Sequence, residues 1–247
     1  MSQTGNAILE HLQQVQAQRA ARAADPALSH RVDAVKHYQQ ARFSRSYADL
    51  LANPRYAPAA RFFLEELYGP HDFAERDAQF SRIVPALVRL FPHEIVETVA
   101  ALSELHALSE ALDTDMARHL PEGPLDRAAY ARAWQHTGRP VDRERQIALT
   151  MDVGRALDRY TRNPLLRHSL RVMRGPARAA GLGDLQAFLE RGFDAFGAMR
   201  GASEFLDVIA GRERARARRL YEADAVAGGT STSQTAVGQQ DPLGQLP

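Results

Sequence analysis

The sequence predicts an all-α protein: a compact bundle of about eight helices, followed by a disordered C-terminal tail. Three observations carry that prediction. Apolar residues recur at intervals of three and four, the spacing that lines them up on one helix face. Alternating β-branched runs bounded by Asn-Gly or Asp-Gly turns are missing. Proline and glycine fall between the periodic stretches, where each stops one helix and opens the next.

The elements follow in order. A polar helix from about Ala7 to Ala24 precedes Asp25-Pro26, so residues 1–26 are expected as an N-terminal arm, 27–224 as a single helical domain and 225–247 as the tail. A helix from Ala27 to Ala52 buries Leu28, Val32, Val35, Phe43, Tyr47, Leu50 and Leu51 before Asn53-Pro54 ends it. The next runs to Tyr68. Its Ala60, Phe63, Leu64, Leu67 and Tyr68 form one apolar stripe, and Gly69-Pro70 stops it. Asp72 with Glu75 has capping-box spacing, and the helix it opens meets Pro85, where a kink or an end is expected.

The stretch from Pro92 to His119 carries the broadest apolar arc, Ile95 through Met116, and reads as the central core helix. Asp126 caps a short helix with Tyr130 and Trp134, and Val141 to Arg162 forms a longer one. Asn163-Pro164 opens another short one. Asp184 is expected to cap the last long helix, with bends near Gly197 and Gly201. Beyond Ala225, Gly, Ser, Thr and Gln dominate, and too little apolar mass remains to offset the entropy of ordering.

Composition narrows the function. Thirty-one basic against thirty acidic residues give a net charge of +1, so no long-range field draws the chain to nucleic acid or an anionic membrane. Either would need a local patch, and neither is expected as a partner. The run Arg212, Arg214, Arg216, Arg218 and Arg219 spreads around a helix axis and reads as a solvated helix end. Absence of cysteine removes disulfides, thiol nucleophiles and thiolate metal sites. With no leader pattern and no run of about 18 apolar residues, a cytoplasmic location is expected. Metal-binding, phosphate-cradling and nucleophile-elbow motifs are missing, so no catalytic residue and no metal ligand is assigned and the reading leans away from an enzyme.

Three features remain as site candidates. His106 borders the apolar arc of the central helix, where an imidazole either sits with its ring nitrogens satisfied or serves a buried ligand such as haem. Arg76 and Asp77 fall by helical angle among Phe73, Phe80 and Val84, so they face inward, either as a pair anchoring two helices or as a polar site at a cleft. Gly192, Gly197 and Gly201 weaken the last helix unless close packing, or room for a ligand, requires them.

Phe62-Phe63-Leu64-Glu65-Glu66-Leu67-Tyr68, followed by Gly69-Pro70 and Asp72-Phe73, resembles the signature of the bacterial FFLEELY motif family over seven literal residues. The resemblance extends over the helical region from about His30 to Glu213 and implies no established activity, so it transfers no catalytic residue. In the motif, Phe63, Leu64, Leu67 and Tyr68 are expected in the core, while Phe62 points away from that stripe beside Glu65 and Glu66 and is expected to anchor a partner. Two functions stay open. The first is a non-catalytic module for protein–protein interaction, regulation or self-association, with no cofactor. The second is a helical ligand- or cofactor-binding protein, haem among the candidates, with a pocket near His106.

Overall fold

Side-chain caps fix where several helices begin, because the first-turn N–H groups have no partner inside the helix. Ser2 accepts from the Gly5 N–H, Asp25 from Leu28, Asp126 from Ala129 and Asn163 from Leu165. A computed structural model describes residues 2–67 and 73–222. Its helices are α1 (Gln3–Ala23), α2 (Pro26–Ser46), α3 (Ala48–Ala52), α4 (Ala57–Phe62), α5 (Ala74–Leu90), α6 (His93–Arg118), α7 (Arg127–Thr137), α8 (Pro140–Thr161), α9 (Pro164–Val172), α10 (Arg174–Ala179), α11 (Gly183–Met199) and α12 (Ser203–Glu222). A π-helical turn, Phe63–Leu67, continues α4, and no strand occurs among the described residues.

The all-α expectation holds, with more helices than eight. Tyr47 leaves helical geometry and splits the Ala27 to Ala52 helix into α2 and α3. The last long helix divides where Arg200 (φ 53°) and Gly201 (φ 127°) enter the left-handed region, which no α-helix can cross. Pro85 does not end α5, which runs on to Leu90. Asp184 lies in the first turn of α11 and accepts from Gln79 Nε2 at 3.0 Å instead of capping the helix.

The N-terminal helix expected within residues 1–26 is α1, and it packs on the bundle. Ile8, Leu12 and Val15, one per turn of α1, are buried, and α1 lies along α6 in the most extensive helix–helix contact among the described residues. The helix looked polar because only a narrow stripe is needed to cover one neighbour. Three apolar clusters hold the fold: one joins α1, α5 and α6; a second joins α2, α6, α7 and α12; the largest joins α2, α3, α4, α8, α11 and α12. The arginine run is solvated only at Arg218 and Arg219, which are exposed, for Arg212 binds Asp49, Arg214 binds Glu144, and Arg216 is buried against Glu213 and Ser46.

Phe62 also departs from expectation. It is buried against Phe188, with ring centroids 5.5 Å apart, and lies over Gly192, where an added Cβ would sit 3.1 Å from the ring. The angular argument failed because α4 lies in the angle between α11 and α12, so neighbouring rings are both covered: Phe63 meets Phe205 edge-on at 5.7 Å while Phe62 takes the α11 side. Leu64 packs on the same cluster. Of the two carboxylates proposed beside a partner, Glu65 is exposed and Glu66 is half-buried, bound to Arg76 and Arg191. Tyr68, Gly69, Pro70, Asp72 and the tail 225–247 lie outside the described residues.

Replacing a buried phenylalanine by alanine removes its transfer energy and leaves a void. Phe62→Ala is therefore expected to destabilise the fold by about 3 kcal/mol in urea denaturation. A change below about 0.5 kcal/mol, typical of surface sites, would contradict its burial.

Candidate functional site: two joined chambers along α6

Helix α6 sets the site. Positions 99, 102, 106, 110 and 113 fall on one face at steps of three and four, so its sequence lays Val99 and Leu102 toward one end of that face and His106, Glu110 and Asp113 toward the other. The bundle leaves a hollow beside this face in two chambers. The polar chamber, about 180 Å³, is lined by His106, Glu110 and Asp113 of α6, Lys36 of α2, and Arg76 and Asp77 of α5. The apolar chamber, about 490 Å³, is walled almost wholly by hydrocarbon and aromatic side chains of α5, α6, α8, α9 and α11. Leu102, Leu105, Leu87 and Phe188 are among the residues that wall both, so the chambers adjoin.

Most of the polar chamber's wall is apolar too, with its charge grouped at His106, Glu110, Asp113, Lys36, Arg76 and Asp77. Asp77 accepts from His106 Nε2 at 2.8 Å and lies 2.9 Å from Arg19. Burial pushes its carboxyl up, but the His106 hydrogen bond and the charges of His106, Arg19 and Arg76 outweigh this and hold it below the usual range. Glu110 sits between Lys36 at 2.7 Å and Arg22 at 2.6 Å. Against a burial effect that raises it, those two cations bring its pKa down to about 2. Asp113 is pushed the other way by burial and accepts a hydrogen bond from Gln39 Nε2 at 3.0 Å.

Arg76 lines the polar chamber and stacks on Phe188, which walls both chambers. Its guanidinium lies 3.9 Å from the Phe73 ring centroid and 4.4 Å from that of Phe188, a sandwich that fixes the plane of the fork. Glu66 holds one nitrogen at 3.3 Å. Two cations, Lys36 and Arg76, share the lining with four carboxylates, Glu66, Asp77, Glu110 and Asp113, and Arg19, Arg22 and Arg191 pair with those carboxylates from outside it.

The sequence candidates His106, Arg76 and Asp77 come together here, whereas Phe62 borders only the apolar chamber and Glu65 stays outside both. The haem reading fits poorly: an ionised Asp77 takes the Nε2–H of His106, so that nitrogen has no lone pair for iron. Among the described residues no group of three or more His, Asp or Glu could hold a metal ion. Sequence reasoning missed Lys36, Glu110 and Asp113. Glu110 and Asp113 were discoverable, since they follow His106 at four and seven residues on its face; Lys36 carried no local signal beyond being the one lysine.

A family model described as a domain of unknown function, DUF8198, matches residues 18–227, a span that includes Phe62 to Tyr68. No curated protein and no solved structure matches.

The depressed Glu110 carboxyl has a sign that can be tested. Its folded pKa of about 2 lies below the ordinary 4.5, so its contribution to stability is complete above pH 4.5 and is lost as pH falls from there towards 2. Glu213, held at about 2 against burial by Arg42 and Arg216, behaves alike. Each is worth on the order of 3 kcal/mol at neutral pH. Denaturation midpoints should drop over that window, and less steeply in Glu110→Gln; an unchanged slope would contradict the assignment. Asp113→Asn, which removes a buried charge while keeping the acceptor for Gln39, should raise the melting temperature at pH 7, and a fall would count against a strained carboxylate.

Proposed function

For a chain that belongs to the DUF8198 family, we propose a role as a non-catalytic binding protein for a single-chain amphiphile with an anionic head, its tail along the apolar chamber and its head at Arg76. The observation that carries this is the adjacency of the two chambers: a hydrocarbon-walled hollow shares Leu102, Leu105 and Phe188 with a second hollow lined by Arg76, whose guanidinium is held between two rings. About 490 Å³ falls in the roughly 300–1,000 Å³ range of small-molecule sites. Water gains little there, because an apolar wall offers it no hydrogen bonds. Hydrocarbon gains most.

Head-group preference follows from Arg76. A carboxylate can take paired N–H donors from its fork, whereas an ammonium head offers that fork no acceptor. His106 and Lys36 also line the polar chamber, already bound to Asp77 and Glu110. The alternative of a protein-interaction module lost its motivating residue when Phe62 proved buried.

Displacement of a fluorescent fatty-acid analogue by a sixteen-carbon acid, the matching alcohol and the matching alkylammonium tests the reading. The acid should displace best and the ammonium worst. Arg76→Gln should weaken the acid about tenfold or more, the usual size of a charged hydrogen bond, and barely affect the alcohol. Leu102→Trp, which fills the junction, should weaken both. Equal displacement by all three, or none by any, would overturn the proposal.

A further inference from the structure

Among the described α-helices, α9 is the one that buries no residue. Its sequence is nonetheless strongly two-sided, with Leu165, Leu166, Leu170, Val172 and Met173 on one arc and Arg167, His168 and Arg171 on the other. Leu166 and Leu170 face the apolar chamber, which accounts for half of the arc. The other half faces outward: Leu165 is 73% exposed, Val172 58% and Met173 52%, and the end of α5 adds Leu90 and Phe91. Leu90, Phe91 and Met173 also line the apolar chamber, so this exposed patch is its rim. Single exposed apolar residues are ordinary, but a contiguous group at the edge of a cavity marks an interaction surface.

Charge decides what that surface fits. Residues 164–180 contain four arginines and no acidic residue. Arg167 and Arg174 are taken by Asp194 at 2.7 Å and Glu190 at 2.6 Å, while Arg171 and Arg178 project into solvent beside the apolar arc, as does Arg89 on α5. A second copy packed symmetrically on this face would bring like charges together. An anionic bilayer surface instead offers phosphates to the arginines and an acyl boundary to the leucines, the arrangement an interfacial amphipathic helix uses. No described helix is long and apolar enough to cross a membrane, so contact would be with the surface. The net charge of +1 means the local patch, not the whole molecule, supplies the attraction.

We propose that the α9–α10 segment seats on an anionic lipid surface, Leu165, Val172 and Met173 entering the headgroup region and Arg171 and Arg178 lying against phosphates. On the amphiphile reading given above, and resting on it, this places the rim of the apolar chamber against the source of its ligand.

Cosedimentation of the full chain with vesicles of phosphatidylcholine alone or mixed with phosphatidylserine tests the docking. Binding is expected only to the mixed vesicles and should fall as salt rises. Arg171→Glu with Arg178→Glu should weaken it about fivefold or more per charge, and Leu165→Asp with Val172→Asp should abolish it; all four side chains are exposed, so the fold should survive, and circular dichroism checks this. Leu102→Trp should bind vesicles like the wild type, so failure of the ligand reading and failure of docking are told apart. Equal binding by wild type and both double variants, or none to mixed vesicles, would overturn the proposal. So would a loss of self-association in the Leu165 and Val172 variant with vesicle binding unchanged, which would assign the face to a second copy.

Discussion

The fold depends on one constraint: α6 carries His106, Glu110 and Asp113 on a face turned into the bundle, and buried charge is tolerable only with partners. Those partners come from three other helices. Arg22 ties α1 to it, Lys36 and Gln39 tie α2, and Asp77, itself paired with Arg19, ties α5; α1 and α2 are separated from α6 by long stretches of chain. An apolar interface can slide and close, but a set of ion pairs with fixed distances cannot. The helices around α6 are therefore held apart at one end by their charges, and the leucines further along the same face are left beside a hollow instead of a packed neighbour. Removing one member of such a set strands the others, which is why the polar chamber is a rigid feature of the bundle.

Much of the scaffold was legible in the sequence. The bounds of α6, the caps Asp126 and Asn163, and the inward position of Arg76 and Asp77 all follow from local rules of spacing and capping. What escaped was decided by tertiary contact. Phe62 points where helical angle says solvent should be, but α11 lies there, with Gly192 making room for the ring. The N-terminal helix looks polar, yet three apolar residues suffice when α6 runs alongside. The hollow itself has no signature in periodicity, because identical spacing describes leucines that meet a neighbour and leucines that face a cavity. His106 stood out as a histidine at the border of an apolar arc, while the cations that complete its surroundings lie about thirty to ninety residues away in the chain.

The two chambers and the outer face of α9 form one series. Exposed Leu90, Phe91 and Met173 line the apolar chamber together with Leu166 and Leu170, leucines of α6 wall both chambers, and Arg76, clamped by Phe73 and Phe188, lines the second. Polarity along it changes from greasy to charged within the length of one helix. Such a gradient orients a guest as well as holding it, since reversal would bury a charged head among hydrocarbon and leave a tail among ion pairs.

The most direct measurement is a crystal structure of the protein grown with a long-chain carboxylic acid. The account predicts one acyl chain beside Leu102, its carboxylate within hydrogen-bond distance of Arg76 and its tail directed towards α9. A structure in which the acid lies elsewhere, or in which Leu102 and Phe188 close on each other and no chain enters, would contradict it.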